Sequence, residues 1–427
     1  MRKLTFTLSL TLTIFLSGKS QSWQTEMDSV LTLLARQEMF HGQLLIEQDG
    51  EIRFHKAYGN DISKVTPLPI QSVTKAFTAI GILVLEGQGK LKLTDHLTRY
   101  FPDLPYPEVT LLQLMNMRSG LPRFLETAMQ YGDTSKVMTN PEIISLAEKH
   151  QPKAGKPDTE FKYNNTNYLL LASIIEKVSG MSYAHFVERH LITPLGLDNT
   201  SVRSASDLVD GNEVNRNNFY QAYGEGNIVS TAEDLYKLNR ALTKNGYLSF
   251  YGKFSKYLSI DDIPNYWMGW WLKKDNAELK MRIVGDGTGS RTLWQRSLSG
   301  GESLFYLHVE SVAYQEAVFQ VIESVINGND YTLPTKRVLH VVDEELLKTY
   351  VGQYLSDVFG LLHITLDQGK LYLRPNPVPD SELLVPSSDS TFFFEGQPVE
   401  WEFFKDEKGK VIGLGFKDQP ETMGKKQ

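Results

Sequence analysis

The chain has 427 residues, 41% of them hydrophobic and 22% charged, with a formal net charge of −7, long enough for two domains or one large domain with an appendage. The acidic balance argues against nucleic acid as a partner. With no cysteine in the sequence, disulfides, thiolate metal sites and lipid attachment through an N-terminal cysteine are excluded, so stability must come from the core.

Met1-Arg2-Lys3 is a short basic stretch, followed by an apolar run dotted with Thr and Ser over 4–16 and then by small residues at Ser17-Gly18-Lys19-Ser20-Gln21-Ser22. This is the pattern of a secretory signal peptide, too short to persist as a membrane-spanning helix. Cleavage is expected after Ser20, or alternatively after Ser22. The mature protein is then exported, periplasmic or secreted, and meets the membrane only through that signal.

After the signal, Met27, Val30, Leu31 and Leu34 recur at helical spacing, which predicts an amphipathic helix over 25–39. Two apolar runs, 43–47 and 52–58, flank Gln48-Asp49-Gly50 and read as a hairpin. Next comes Gln71-Ser72-Val73-Thr74-Lys75-Ala76-Phe77. Pro67 and Pro69 cannot lie inside a helix, so a helix begins close to Ser72. Behind it Ala76, Phe77, Ala79, Ile80, Ile82, Leu83 and Leu85 are apolar nearly all round, as in a buried helix. Positions i and i+3 share a helix face, so Lys75 can reach the Ser72 hydroxyl. Ser-x-x-Lys also arises by chance as a capping serine and a solvated lysine. A lysine in the first turn of a buried helix, however, needs a partner.

From 80 to 200 the pattern is mostly helical, including a strongly apolar helix over 167–179 ended by Gly180. Ser230-Thr231-Ala232-Glu233-Asp234-Leu235 has the hydroxyl cap and early acids of a helix start. Residues 267–272 and 304–309 read as strands, and 313–326 as a closing helix. Composition shifts near Asn327-Gly328-Asn329-Asp330. The division expected is signal 1–20, main domain 21–330, linker 331–345 and a small all-β unit 346–427. In the last unit the alternating segments 361–366, 370–373, 391–394, 400–404 and 411–416 suggest a barrel or sandwich. The helix, hairpin and buried helix at the front imply an α/β (α+β) domain on an antiparallel sheet.

At several separated places the chain resembles the serine β-lactamase and penicillin-binding-protein superfamily, in its class-C-related serine hydrolase branch. Besides Ser72-Val73-Thr74-Lys75, the segments that carry the likeness are 87–95, Tyr100-Phe101-Pro102 and the stretch 111–122 ending in Ser119-Gly120-Leu121-Pro122. They continue with Tyr163-Asn164-Asn165, 174–180, Pro194-Leu195-Gly196-Leu197 and 230–235. The tail resembles the lipocalin-like β-domain that many such hydrolases carry. The resemblance implies an antiparallel sheet flanked by helices, an all-helical subdomain and acyl transfer through Ser72. Lys75 and Tyr163 would hold the proton, leaving open which is the operative base, and Asn165 would bond Lys75 and substrate. The backbone N–H of Ser72 would be one oxyanion donor.

The family's third motif, Lys-Thr-Gly or His-x-Gly, finds its nearest match at Gly287-Thr288-Gly289, followed by Ser290, whose N–H would be the second oxyanion donor. Glycine stands where the family has a cation, with Asp286 beside it. A desolvated substrate carboxylate would lack its partner there, unless Arg291 or Arg118 replaced it from elsewhere. Esters and small amides or peptides are therefore expected over penicillins and D-Ala-D-Ala peptides. The alternatives are a penicillin-binding carboxypeptidase or β-lactamase, and a non-catalytic binder of peptide or cell-wall fragments. None of the nine histidines falls at metal-ligand spacing, His185 and His190 being i and i+5, so neither metal nor cofactor is expected. The oligomeric state is left open.

Overall fold

The computed structural model describes residues 22–133, 137–203, 220–221, 223–243, 265–275, 278–287, 289–297, 301–310, 314–334, 336, 340–376, 381–394 and 399–427. The proposed signal at 1–20 lies outside them. Among the described residues no helix is long and apolar enough to cross a membrane.

The amphipathic helix at the front runs Trp23–Arg36 and buries Met27, Val30, Leu31 and Leu34. Strands β1 (His41–Gln48) and β2 (Glu51–Tyr58) form the hairpin. Asp49 and Gly50 both take positive φ at its turn, 53° and 83°, the conformation that matches the twist of the strands. Two-residue strands follow: β3 (Leu68–Pro69), β4 (Met138–Thr139), β5 (Ser201–Val202) and β6 (Tyr220–Gln221). Then come β7 (Ile228–Ser230), β8 (Asn265–Trp267), β9 (Trp270–Asp275), β10 (Glu278–Gly287), β11 (Ser290–Ser297) and β12 (Glu302–Val309). The main sheet is seven-stranded and antiparallel, in the order β2-β1-β12-β11-β10-β9-β8. The run read as one strand over 267–272 is in fact broken. Met268 and Gly269, at φ 50° and 100°, turn the chain between β8 and β9.

Side chains alternate across the sheet, so each face makes its own core. Leu44, Ile46, Leu304 and Tyr306 pack under Trp23–Arg36 and the closing helix Gln315–Asn327. Leu45, Phe305, Leu307 and Trp294 face the helical side of the domain, where the buried helix Thr74–Gly87 meets the helix Thr166–Ser179. Gly180 ends the latter with φ 70°, as its place in the sequence suggested.

Beyond Asn327 the chain stays tied to the first helix, where the Tyr331 hydroxyl donates to Glu26 at 2.9 Å. A short helix, Glu344–Tyr350, leads into the tail. There β13 (Gly352–Ser356), β14 (Gly360–Asp367), β15 (Lys370–Pro375) and β16 (Glu382–Pro386) are followed by β17 (Thr391–Phe394), β18 (Glu400–Lys405), β19 (Val411–Phe416) and β20 (Gly424–Lys426). These eight close into a barrel around Tyr350, Tyr354, Phe392, Phe403 and Leu414. A barrel, rather than a sandwich, is the outcome. Strands β13, β16 and β20 were not among the five segments read from the sequence. The last of these is only Gly424-Lys425-Lys426, too short and polar to show a period of two.

Candidate active site

Ser72 sits in a 3₁₀ turn, Gln71–Val73, which feeds the helix Thr74–Gly87. Lys75 lies one turn along and is fully buried. Its Nζ donates to Ser72 Oγ at 2.9 Å, so the i, i+3 geometry expected of the tetrad is present. A second N–H of Lys75 goes to the backbone oxygen of Glu225 at 2.9 Å. The rings of Tyr163 and Tyr168 lie 5.2 and 5.9 Å from the ammonium, within reach of cation–π attraction. A lysine in an apolar helix is tolerable only with such partners.

The same helix face holds the segment that supplies the Glu225 carbonyl. Thr74 Oγ1 accepts from Ile228 N at 3.2 Å, and Thr78 Oγ1 donates to the Gly224 carbonyl at 2.7 Å. Residues i, i+1 and i+4 of one helix thus grip a single loop. The Glu225 side chain is buried beside them. Burial raises its carboxyl to about 7, against the lowering influence of Lys75.

Tyr163 comes from the chain just before the helix Thr166–Ser179, and its hydroxyl donates to Ser72 Oγ at 2.9 Å. The chain before the helix Thr166–Ser179 has no regular structure, so backbone bonds to the Ser119-Gly120-Leu121-Pro122 stretch must hold it. Gly155 N donates to the Gly120 carbonyl (2.8 Å) and Lys162 N to the Met117 carbonyl (3.0 Å). Asn164 Nδ2 donates to the carbonyls of Leu121 and Pro122 at 2.8 and 3.1 Å. Ser119 Oγ donates to Asn167 Oδ1 at 2.6 Å. Gly120 has φ 69°, and a Cβ there would stand 2.6 Å from the Gly155 oxygen; only glycine lets the two segments approach so closely. The Tyr163 ring stacks on Trp271 (6.4 Å, 11°) and meets Tyr266 edge-on (6.0 Å, 88°). Trp271 is therefore cleft wall, whereas Trp270 packs on Trp294 in the core. Burial drives the Tyr168 phenol well above its ordinary range, so Tyr168 offers the lysine a ring face and no base.

Asn165 opens the helix Thr166–Ser179, but its expected bond to Lys75 is not made: the lysine is engaged by Ser72 and Glu225. Its Oδ1 is buried and has no partner among the described residues.

The strand side of the cleft is β10. Beyond Arg282 it pairs only with β11, since β9 runs out opposite Arg282. Gly285 lies hard against the turn that carries Ser72: a Cβ there would be 2.2 Å from the Ile70 oxygen and 3.0 Å from Ser72 N. Of the motif read as Gly287-Thr288-Gly289, Gly287 is the last residue of β10 and Gly289 directly precedes β11, which begins at Ser290. Thr288 lies outside the described residues. Ser290 is buried and accepts at Oγ from Gln71 Nε2, 2.8 Å away. Gln71 and Glu225 were missed in the sequence, where neither residue type marked its position as special. The two arginines suggested as replacement cations are held elsewhere. Arg291 pairs with Asp286 (3.4 Å) and Glu316 (2.9 Å), and Arg118 with Asp158 (3.7 Å).

A family model described as Beta-lactamase matches residues 30–260, and one described as a domain of unknown function matches 336–427. Penicillin-binding protein 4* of Bacillus subtilis is 28% identical, over 94% of this chain and 98% of its own length. Among solved structures, an octameric penicillin-binding protein homologue from Pyrococcus abyssi aligns with a TM-score of 0.59 at 21% identity, covering 92% of this chain and 98% of that one. D-amino acid amidase from Ochrobactrum anthropi SV3, complexed with L-phenylalanine amide, aligns at 0.57 and 20% identity, covering 72% and 99%. At these identities the structural likenesses speak for the fold.

Proposed function

The chain belongs to the beta-lactamase family, and from that premise we propose that it is an exported serine hydrolase cleaving esters or small amides and peptides through an acyl-enzyme on Ser72. The observation that carries this reading is that Ser72 Oγ accepts from both Lys75 Nζ and Tyr163 OH, each at 2.9 Å. Both contacts reverse when the partner is deprotonated: the serine O–H then donates into the free nitrogen or oxygen, which becomes the base.

The steps balance on these groups. Ser72 Oγ bonds to the substrate carbonyl carbon while its proton passes to Lys75 or Tyr163. The resulting oxyanion is held by the N–H of Ser72, with that of Ser290 as second donor. Collapse of the adduct breaks the bond to the leaving group, which departs with the transferred proton. Water then attacks the acyl ester and yields a proton to the same base, and that proton returns to Ser72 as the acid leaves. The positive end of the Thr74–Gly87 helix favours each anionic stage.

A penicillin-binding carboxypeptidase or β-lactamase role is weakened by the engagement of Arg291 and Arg118 with carboxylates of the protein itself. Labelled penicillin tests it directly. The main experiment is intact-mass measurement of the mature protein after a fluorophosphonate probe, beside Ser72→Ala. One adduct on the wild type, absent from the variant, is the expected result. No adduct on folded wild type would overturn catalysis and favour a binding protein.

A further inference from the structure

Gln71 directly precedes the nucleophile and holds φ at 47°, a left-handed backbone that strains any residue bearing a Cβ and that gathers at functional sites. Its side chain folds back over the end of β10, where Nε2 donates to Ser290 Oγ at 2.8 Å. A Cβ on Gly287 would stand 2.4 Å from its Cδ, 2.5 Å from Nε2 and 2.7 Å from Oε1. A side chain at 287 fits only if the end of Gln71 swings aside and gives up its bond to Ser290. On its other flank, a Cβ on Gly226 would lie 3.9 Å from Oε1, so the carboxamide fills the gap between β10 and the loop that receives Lys75.

We infer that Gln71 is the specificity-determining residue of this cleft, occupying with a neutral carboxamide the space a cationic side chain at 287 would need, so that leaving groups with an uncharged polar end are taken and those ending in a carboxylate are rejected. This rests on the hydrolase reading above. A carboxamide offers a donor and an acceptor, which suits an amide, a hydroxyl or an ester oxygen. It cannot neutralise an anion stripped of water, and desolvation then acts against the charged competitor. Glycine at 287 is the counterpart of glutamine at 71, not a lost residue.

The test uses two activated esters of one acyl group, identical except for a terminal carboxamide or carboxylate on the leaving alcohol. They are assayed on wild type, Gln71→Gly, Gln71→Glu, Gly287→Lys and the double variant Gln71→Gly/Gly287→Lys, after fluorophosphonate labelling of each. Wild type should favour the carboxamide ester at least tenfold in kcat/KM, and the isosteric Gln71→Glu should widen that gap at neutral pH. Gln71→Gly relieves the left-handed strain, so its thermal midpoint should not fall, and its preference should narrow. The double variant should reverse the preference, by at least tenfold, and Gly287→Lys alone should fall well short of it, because its lysine must first displace the Gln71 carboxamide from Ser290. Wild type that labels but shows no preference overturns the inference and leaves the hydrolase reading standing. So does a single Gly287→Lys variant that takes the carboxylate ester as well as the double does. Wild type that fails to label removes both.

Discussion

On the helical wall of the cleft, Ser72, Lys75 and Tyr163 are side chains held by backbone. Lys75 is buried and bonded to a carbonyl, and the Tyr163 segment is tied by hydrogen bonds to residues 117–122. On the other wall β10 brings two glycines against the turn that carries Ser72, and the Gln71 side chain, borrowed from the helical side, bonds Ser290 there. On the reading proposed above, one wall supplies reactivity and the other supplies choice. Reactivity demands fixed side-chain chemistry, while choice can be changed by exchanging which wall fills a given space.

This division can be broken. Tyr163→Phe keeps the ring on Trp271 and removes one bond to Ser72. The labelling rate should fall on the order of 10²-fold or more, as for loss of a proton-transfer group, and equally for the carboxamide and carboxylate esters. An unequal fall would mean that the helical wall also selects.

Glu225 lies where the nucleophile helix grips its loop, and it sharpens the comparison through pH. Its folded carboxyl titrates at about 7 against an ordinary 4.5, so folding favours the neutral form. Its contribution is complete below about pH 4.5 and is lost as pH rises to 7. Glu225→Gln should abolish that loss, a difference approaching roughly 3 kcal/mol across the window. Denaturant titrations at pH 4.5 and 7.5 measure it, and parallel curves for the two proteins would rule it out.

Gly120→Ala loosens the helical wall without touching the site. A left-handed alanine pressed on the Gly155 oxygen should cost about 2 kcal/mol. Thermal unfolding would read the cost, and slower labelling should accompany it. A stable variant with slow labelling would assign Gly120 to positioning alone.

Much of the helical wall was legible because its chemistry is local in sequence: Ser72 and Lys75 are one turn apart, and Tyr163-Asn164-Asn165 is contiguous. The hairpin at Asp49-Gly50 and the end at Gly180 were readable for the same reason, since turn chemistry is written in two residues. The strand wall was not. That Gly287 faces Gln71, 216 positions earlier in the chain, follows from sheet register, and a positive φ at a glutamine leaves no mark on composition. The break at Met268-Gly269 was hidden by aromatic residues on both sides, which favour strand whatever the turn between them. In the barrel, the segments with clean alternation were found and the closing strand of three polar residues was not.

The placing of β1 between β2 and β12 has a consequence for the order in which the molecule assembles. Gln48 bonds Glu302, 254 positions away, so the central sheet cannot be completed until the last of its strands has emerged from the ribosome. The barrel, by contrast, is built largely from neighbours in sequence. High separation between paired strands slows folding, and the domain that carries the seven-stranded sheet should therefore be the slow phase in refolding. Its cleft forms only when the earliest and the latest strands of that domain have met.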